Sequence, residues 1–446
     1  MSFRKYETYK ESGVEWLGEI PAGWTTQKLK FVARVQPSNV DKKSKKDEKE
    51  VQLCNYTDVY YNEEITADLP FMKATASDVQ IKKFTLKRGD TIITKDSEDP
   101  NDIAVPAYVP QDLDGVVCGY HLALLRPEKG TCGGYLKRVM DTQYARSAFA
   151  TRANGITRYG LGTYAISNFI LPFPPLEEQK QIAAFLDKET TKIDTLIDKQ
   201  EQLITLLQEK RQAIISHAVT RGLNPNVKMK DSGIEWLGKM PAHWEVKKLK
   251  HVVTKPLMYG ANEAAIDDDR DQPRFVRITD IRNNGTLRED TFRSLPWHLA
   301  KPYMLREGDV LLARSGATVG KSFIYSSDWG ECCFAGYLIK ASIDISKASP
   351  HWFYLYTESD YYWNWISSTL IQATIQNVSA EKYNNFSLCI PPKQEQNRII
   401  AYLDKETAKI DTLIEKCETA IELLKERRTA LISAAVTGKI DVRNVG

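Results

Sequence analysis

The chain contains no apolar run near the roughly 20 residues that a membrane-spanning helix needs. Its first residues, MSFRKYETYKESG, carry no apolar stretch and no cleavage site, so no secretory signal is expected there. The 7 cysteines are scattered; only Cys332 and Cys333 are close, and no Cys-x-x-Cys pair exists. An odd count without a framework fits a reducing compartment, and the expected location is cytoplasmic. The 6 histidines include no His-x-x-x-His pair, so no metal site is expected. Net charge is only +3, which leaves nucleic-acid binding to a local basic face.

Catalytic constellations are missing as well. SGATVGKS, Ser315 to Ser322, places three residues between Gly316 and Gly320, where a phosphate-binding loop requires four. There is no Asn-Pro-Pro-Tyr/Phe or Asp-Pro-Pro-Tyr signature for methylating an exocyclic amine, and no Gly-rich cofactor loop after a strand. Asp90 and Asp309 each follow a glycine, and the spacing predicts turn caps rather than nuclease carboxylates. No catalytic, cofactor or metal residue is assigned.

What the chain does have is a duplication. SGVEWLGEIPAGWTTQKLK, Ser12 to Lys30, returns as SGIEWLGKMPAHWEVKKLK, Ser232 to Lys250, with 12 of 19 positions identical at an offset of 220. Trp16 and Trp236, and Trp24 and Trp244, read as packing anchors. Further on, Phe185 to Thr220 returns as Tyr402 to Thr437 at an offset of 217. Each copy follows a Pro-Pro step and a Glu-Gln: Pro174-Pro175 with Glu178-Gln179, and Pro391-Pro392 with Glu395-Gln396.

These two long copies have helical periodicity. Ile182, Leu186, Ile193, Leu196, Leu203, Leu207 and Ile214 recur at helical spacing, as do Ile399, Leu403, Ile410, Leu413, Ala420, Leu424 and Leu431. That is the expected a/d seam of a coiled coil, broken by Glu189 with Glu406 and by Lys210 with Arg427. Ile197, Ile204 and Ile215, with Ile414, Ile421 and Ile432, widen the apolar stripe enough to serve a third surface. Pro175 and Pro392 suit the starts, and Gly222 and Gly438 the stops.

Between opening and helix lie two segments with a shared skeleton and little shared sequence. Leu53 to Val59 aligns with Phe275 to Ile281 as strand-like, Asp58 falling on Asp280. Leu86 to Thr94 aligns with Leu305 to Ala313, Gly119-Tyr120 with Gly336-Tyr337, and Asn168-Phe169 with Asn385-Phe386. Helices are expected near Tyr135 to Phe149 and His351 to Ser367. The fold class is therefore α/β (α+β), with two tandem globular domains, two long antiparallel coiled-coil helices and a pseudo-two-fold internal repeat. The expected bounds are 1–174 and 232–391 for the domains, 175–221 and 392–438 for the helices, 222–231 for a linker and 439–446 for a tail. Ser38 to Glu50 is a charged exposed loop.

SGVEWLGEIP and SGIEWLGKMP, the PPLEEQ and PPKQEQ steps, the helices after them and the tail AVTGKIDVR from Ala435 together resemble the specificity subunits of type I restriction–modification systems, end to end. The resemblance implies two target recognition domains, each reading one half of a split, asymmetric sequence in double-stranded DNA. It implies no catalysis in this chain. It implies docking of two methyltransferase subunits, which use S-adenosylmethionine, and of restriction (translocase) subunits, which use ATP and Mg. The duplication itself fits such a division: alike parts would dock alike partners, and divergent parts would read different sequences.

Base edges and phosphates are contacted by Arg, Lys, Asn, Gln and Ser/Thr. In the first domain TRANGITRY offers Arg152, Asn154, Thr157 and Arg158, and the loop after the Gly-Asp strand offers Lys95, with Asp96, and Ser97. In the second domain IQATIQNVS offers Gln372, Thr374, Gln376 and Asn377, the loop offers Arg314 and Ser315, and Arg277, Arg282, Asn283 and Asn284 add to them. Two other readings stay open on the residues: a coiled-coil adaptor without DNA binding, and a stand-alone DNA-modifying enzyme.

Overall fold

A computed structural model describes residues 4–15, 17–234, 237–265, 267–282, 285–316, 318–371 and 377–443. Trp16 and Trp236 lie outside the described residues. The chain divides into two compact units, Met1–Gln200 with Thr419–Gly446, and Glu201–Glu418. Each unit has a globular mixed α/β part and one stretch of each long helix.

In the first unit, strand β1 (Thr91–Thr94) is followed by the short β2 (Asp96–Ser97), and β1 pairs antiparallel with β3 (Leu122–Pro127). All of β1 is buried because both faces are covered. Side chains alternate along a strand, so Ile93, Ala123 and Leu125 enter one core, shared with helix α1 (Gly133–Met140). Ile92, Leu122 and Leu124 enter a second core with the sheet containing Lys49–Cys54. After α1 comes the two-residue strand β4 (Tyr159–Gly160), and then the first long helix, α2 (Leu176–Arg221).

The second unit repeats this arrangement with different residues. Strand β5 (Val310–Ala313) pairs antiparallel with β6 (Leu338–Ala341). Val310, Leu312, Ile339 and Ala341 face the core that includes helix α3 (Pro350–Thr357), while Leu311, Ala313 and Leu338 face the opposite core. The chain closes with the second long helix, α4 (Lys393–Val436).

The repeated motifs have structural causes. Asp90 accepts from the backbone N–H of Lys87 at 2.8 Å, and Asp309 from that of Arg306 at 2.9 Å, so both cap a turn as expected. In the Glu-Gln step, Gln179 donates to the Pro174 carbonyl at 2.9 Å and accepts from the Cys132 N–H at 2.8 Å, just before α1. Gln396 does the same with Pro391 at 2.9 Å and the Ser349 N–H at 2.8 Å, just before α3. One side-chain amide thus satisfies backbone groups at two element ends that would otherwise be buried unpaired. Trp24 and Trp244 are buried anchors. Gly438 ends its helix at φ +72°, where a Cβ would fall 2.3 Å from Pro21, so glycine is required there.

Two expectations are corrected. The segment Leu53 to Val59 is not a single strand: it stops at Cys54, and Tyr56–Tyr60 is helical. Likewise Arg274–Val276 is strand and Ile278–Asp280 a 3-10 turn. Asp58 accepts from the Asn55 N–H at 2.7 Å and Asp280 from the Arg277 N–H at 2.8 Å, and these caps close helical turns against the local β propensity.

The second correction concerns the seam. Leu196, Leu203 and Leu413 remain 46%, 42% and 46% exposed. The buried or half-buried row instead runs Leu186, Thr190, Ile193, Ile197, Ile204, Leu207, Arg211, Ile214, Ala218, and at matched places Leu403, Thr407, Ile410, Ile414, Ile421, Leu424, Arg428, Leu431, Ala435. It keeps strict a/d spacing but takes the neighbouring residue through the middle. Its polar members are Thr190 with Thr407 and Arg211 with Arg428, in place of the expected Glu189 with Glu406 and Lys210 with Arg427, and Lys210 and Arg427 are exposed. Within the first unit Arg428 meets Asp194 at 2.9 Å, and within the second Arg211 meets Asp411 at 3.0 Å. Because Asp411 and Arg428 are the repeat counterparts of Asp194 and Arg211, the two antiparallel pairings have one register.

Candidate nucleic-acid interface

The divergent loops converge at one corner of each unit, just beyond β1 and β5. In the first unit β2 pairs antiparallel with β4, setting Ser97 opposite Tyr159 and Asp96 opposite Gly160. The N–H of Lys95 donates to the His121 carbonyl at 2.9 Å, and the Lys95 carbonyl accepts from Leu161 at 2.8 Å. Lys95, Asp96, His121 and the Arg158 loop are thereby held together, although up to 63 residues separate them in sequence.

Their side chains interact. Asp96 Oδ2 lies 2.9 Å from Lys95 Nζ and 2.8 Å from His121 Nδ1. Arg158 Nη2 lies 3.4 and 3.3 Å from the two imidazole nitrogens of His121. Tyr120 leans on the same ring at 3.6 Å between centroids. Lys95 and Arg158 stand beside Asp96, with Glu98, Asp99 and Asp102 following in the same segment, and Arg158 and Thr157 are exposed. The corner is therefore polar, of mixed charge and open.

In the second unit a bridge pairs Ser315 with Asn377. The N–H of Arg314 donates to the Tyr337 carbonyl at 3.0 Å, and the Arg314 carbonyl accepts from Val378 at 2.9 Å. The guanidinium of Arg314 lies 4.7 Å over the Tyr259 ring and bonds Asn377 Oδ1 at 3.4 Å. Tyr337 is 67% exposed. Since Leu122 stands opposite Thr94 and Leu338 opposite Ala313, the position of Tyr337 corresponds to that of His121. The corner is one piece of backbone geometry carrying two sets of side chains.

The structure brings together Lys95 with Arg158, and Arg314 with Ser315 and Asn377. Ser97 is buried at 6% exposure and accepts from the Asp99 N–H at 3.2 Å, so it shapes the loop rather than facing solvent. Asn154 is tied through its backbone to Gly160 at 2.9 and 3.1 Å. Arg152 folds back to the Ala148 carbonyl at 3.0 Å, at the end of the preceding helix. Arg277 is held by Asp280 of its own turn at 2.6 Å and by the Thr291 carbonyl of the turn Glu289–Thr291 at 2.7 Å. Asn283, Asn284, Gln372, Thr374 and Gln376 lie outside the described residues. Sequence reading missed His121 and Tyr337 as site residues: it matched Tyr337 with Tyr120, and the strand register moves that match by one residue, to His121.

Aromatic side chains stand near the first corner. Tyr56 and Tyr60 stack at 5.4 Å. The Tyr60 hydroxyl donates to Asp102, and that bond, with some burial, pushes its pKa up to about 12, so it remains a neutral donor.

A charge network ties each domain to its helices. In the first unit Arg138 of α1 meets Asp187 at 2.9 Å and Thr190 at 3.1 Å on α2. Glu63 contacts Lys137, Arg138 and Arg428. Burial alone would raise the Glu63 carboxyl, but these three cations outweigh it and hold it at about 2. In the second unit Glu358 meets Arg211 at 3.5 Å, and its half-buried carboxyl is raised by desolvation despite that partner.

Comparison with known proteins agrees with this arrangement. Residues 21–206 and 241–423 match the type I restriction modification DNA specificity domain, and the chain belongs to that family. It is 23% identical to the EcoBI specificity subunit of Escherichia coli, over 66% of this chain and 63% of that relative. It is 23% identical to the StySPI specificity subunit of Salmonella potsdam, over 95% of this chain and 90% of the relative. The fold is shared with a chain from a structure of type I R-M complex assembly and conformational transition (TM-score 0.70, 18% identity, 94% of this chain and 98% of that one). It is also shared with the HsdS subunit from Thermoanaerobacter tengcongensis (TM-score 0.51, 19% identity, 94% and 98%). Among the described residues no helix is long and apolar enough to cross a membrane.

Proposed function

We propose that the chain is the DNA-recognition subunit of a type I restriction–modification complex and has no catalytic activity of its own. Each corner reads one half of a bipartite, asymmetric target in double-stranded DNA, and the two long helices set the unread spacer between the halves. The observation that carries this reading is the matched corner: the same pairing and the same backbone bonds recur in both units with different polar side chains. Lys95, Asp96 and His121 stand where Arg314, Ser315 and Tyr337 stand. A duplicated reader needs that combination, since one frame must approach the duplex in one way while its tips distinguish different bases.

Exposed leucines on the helices support docking of two alike methyltransferase subunits. Leu196 and Leu413 are both 46% exposed, and Leu206 and Leu423 are 61% and 59% exposed, at matched places in the repeat. Uncovered apolar rows of this kind mark protein interfaces. Adenine methylation with S-adenosylmethionine, and ATP- and Mg-dependent cleavage, then belong to the methyltransferase and restriction subunits.

The test is methyl transfer from S-adenosylmethionine to DNA, measured for the chain alone, for the methyltransferase alone and for both together. Sequence-specific methylation only in the mixture is expected. Methylation or cleavage by the lone chain would refute the assignment, as would a mixture without sequence preference.

A further inference from the structure

Resting on the reading of this corner as a DNA-recognition face, we propose that Arg158 and His121 form one specificity-determining pair. Arg158 reads a single guanine in the half-target of the first unit, and His121, fixed by Asp96, is the positioning residue that aims it.

The geometry carries the assignment. Arg158 Nη2 is nearly equidistant from His121 Nδ1 and Nε2, at 3.4 and 3.3 Å. An in-plane approach between the two nitrogens would drive it into the ring carbon that joins them. The guanidinium nitrogen therefore lies over the imidazole face. The ring is itself held: Nδ1 bonds Asp96 Oδ2 at 2.8 Å, Asp96 also holds Lys95 at 2.9 Å, and the His121 carbonyl accepts from the Lys95 N–H at 2.9 Å. Only 19% of the His121 side chain is exposed, whereas Arg158 is exposed, on a loop whose Ile156 is 91% exposed. A rigid ring thus carries an open arginine.

A long side chain loses rotamer freedom when it binds a base edge, and a guanidinium already laid on a ring has lost part of it beforehand. The donor fork then presents two N–H groups outward, the pattern that matches O6 and N7 of guanine in the major groove. The second unit reaches the same result by other residues: Arg314 lies 4.7 Å over Tyr259, and Tyr259 is fixed through its hydroxyl, which accepts from the Ala380 N–H at 2.9 Å. Each unit therefore lays one arginine on one anchored ring at its corner, with the ring drawn from a different segment of the domain.

The test uses the full chain reconstituted with its methyltransferase and a DNA library in which both half-targets are randomised. Arg158→Lys and His121→Ala are expected to reduce the preference for guanine at one position of one half by on the order of tenfold or more, leaving the other half unchanged. His121→Phe keeps a flat face and is expected to retain much of that preference. Arg158→Lys also keeps the charge, so its salt dependence should stay near that of the wild type. If the wild type selects a two-part target but both His121→Ala and Arg158→Lys leave every position unchanged, the pair is not the reader. Affinity lowered equally for all sequences would also overturn it, by making Arg158 a phosphate contact. A wild type with no two-part preference would instead refute the DNA-recognition reading. Should His121→Ala fail to fold, Arg158→Lys and His121→Phe decide the matter.

Discussion

Replacing Arg428 by methionine removes the seam cation of the first unit while keeping its length and apolar stem. The Arg428 side chain is 17% exposed and contacts Asp194 at 2.9 Å, Asp141 at 3.4 Å and Glu63. Breaking a buried ion pair costs about 3–5 kcal/mol when the remaining charge stays unpaired. Here the remaining charges keep partners: Asp141 holds Arg146 at 2.8 Å and Lys137 at 3.7 Å, and Glu63 holds Arg138 at 3.1 Å. Asp194 and Glu63 are also 44% and 46% exposed, so water screens them. The expected cost falls to about 2 kcal/mol. For a unit of this size that is a loss of about 4–8 °C in melting temperature. Arg211→Met in the second unit is expected to cost less, about 1 kcal/mol, because Asp411 is 49% exposed and the half-buried Glu358, already raised by desolvation, can take up a proton. Two units need not unfold together, so amide hydrogen exchange read segment by segment is the suitable assay. Faster exchange around α1 and residues 182–200 is expected in the Arg428 variant, with little change around α3. Equal effects of the two variants, or none, would refute the claim that Arg428 secures the first domain to its helices.

Acid should act on the same network. Because the cations hold Glu63 at about 2, below its ordinary 4.5, its contribution is full above the ordinary value and is lost as pH falls from 4.5 toward 2. Glu63→Gln should flatten the acid loss of stability in the first unit, measured by exchange or by urea titration. Glu358, raised by burial, works in the opposite sense: the second unit gains from that group as pH falls through its raised pKa. Arg152→Ala, which removes a guanidinium seated at a helix end, should lower DNA affinity of the assembled complex modestly and for all sequences alike, visible as a shallower salt dependence; a change confined to one base would contradict that role. Seven residues inserted after Leu203 and after Ala420 keep the seam in phase and lengthen each helix by roughly 10 Å. At about 3.4 Å per base pair that adds roughly three base pairs to the preferred spacer, with weaker binding because the half-sites also rotate. Methylation mapping on spacer libraries would disprove the spacing role if the preferred length did not move.

The sequence by itself determined the elements whose causes are local. Helical periodicity, proline before and glycine after gave α2 and α4, and the Gly-Asp turns gave the starts of β1 and β5. The duplication was legible because both copies must build alike frames. Tertiary structure decided the rest. The seam moved to Ile197, Ile204, Ile414 and Ile421 because leucine and isoleucine on adjacent rows are equally apolar, so the choice fell to packing and to the Asp194–Arg428 and Asp411–Arg211 pairs. Caps at Asp58 and Asp280 turned expected strand into helix. At the candidate interface, Lys95 and Arg158 stood out by residue type, but their meeting depends on β2 pairing with β4, a contact between segments some 60 residues apart. That His121, and not Tyr120, is the counterpart of Tyr337 was not legible, because what marks the two is their register beside β1 and β5. Register across strands is fixed by a whole sheet closing over two cores, and no single stretch of sequence carries it.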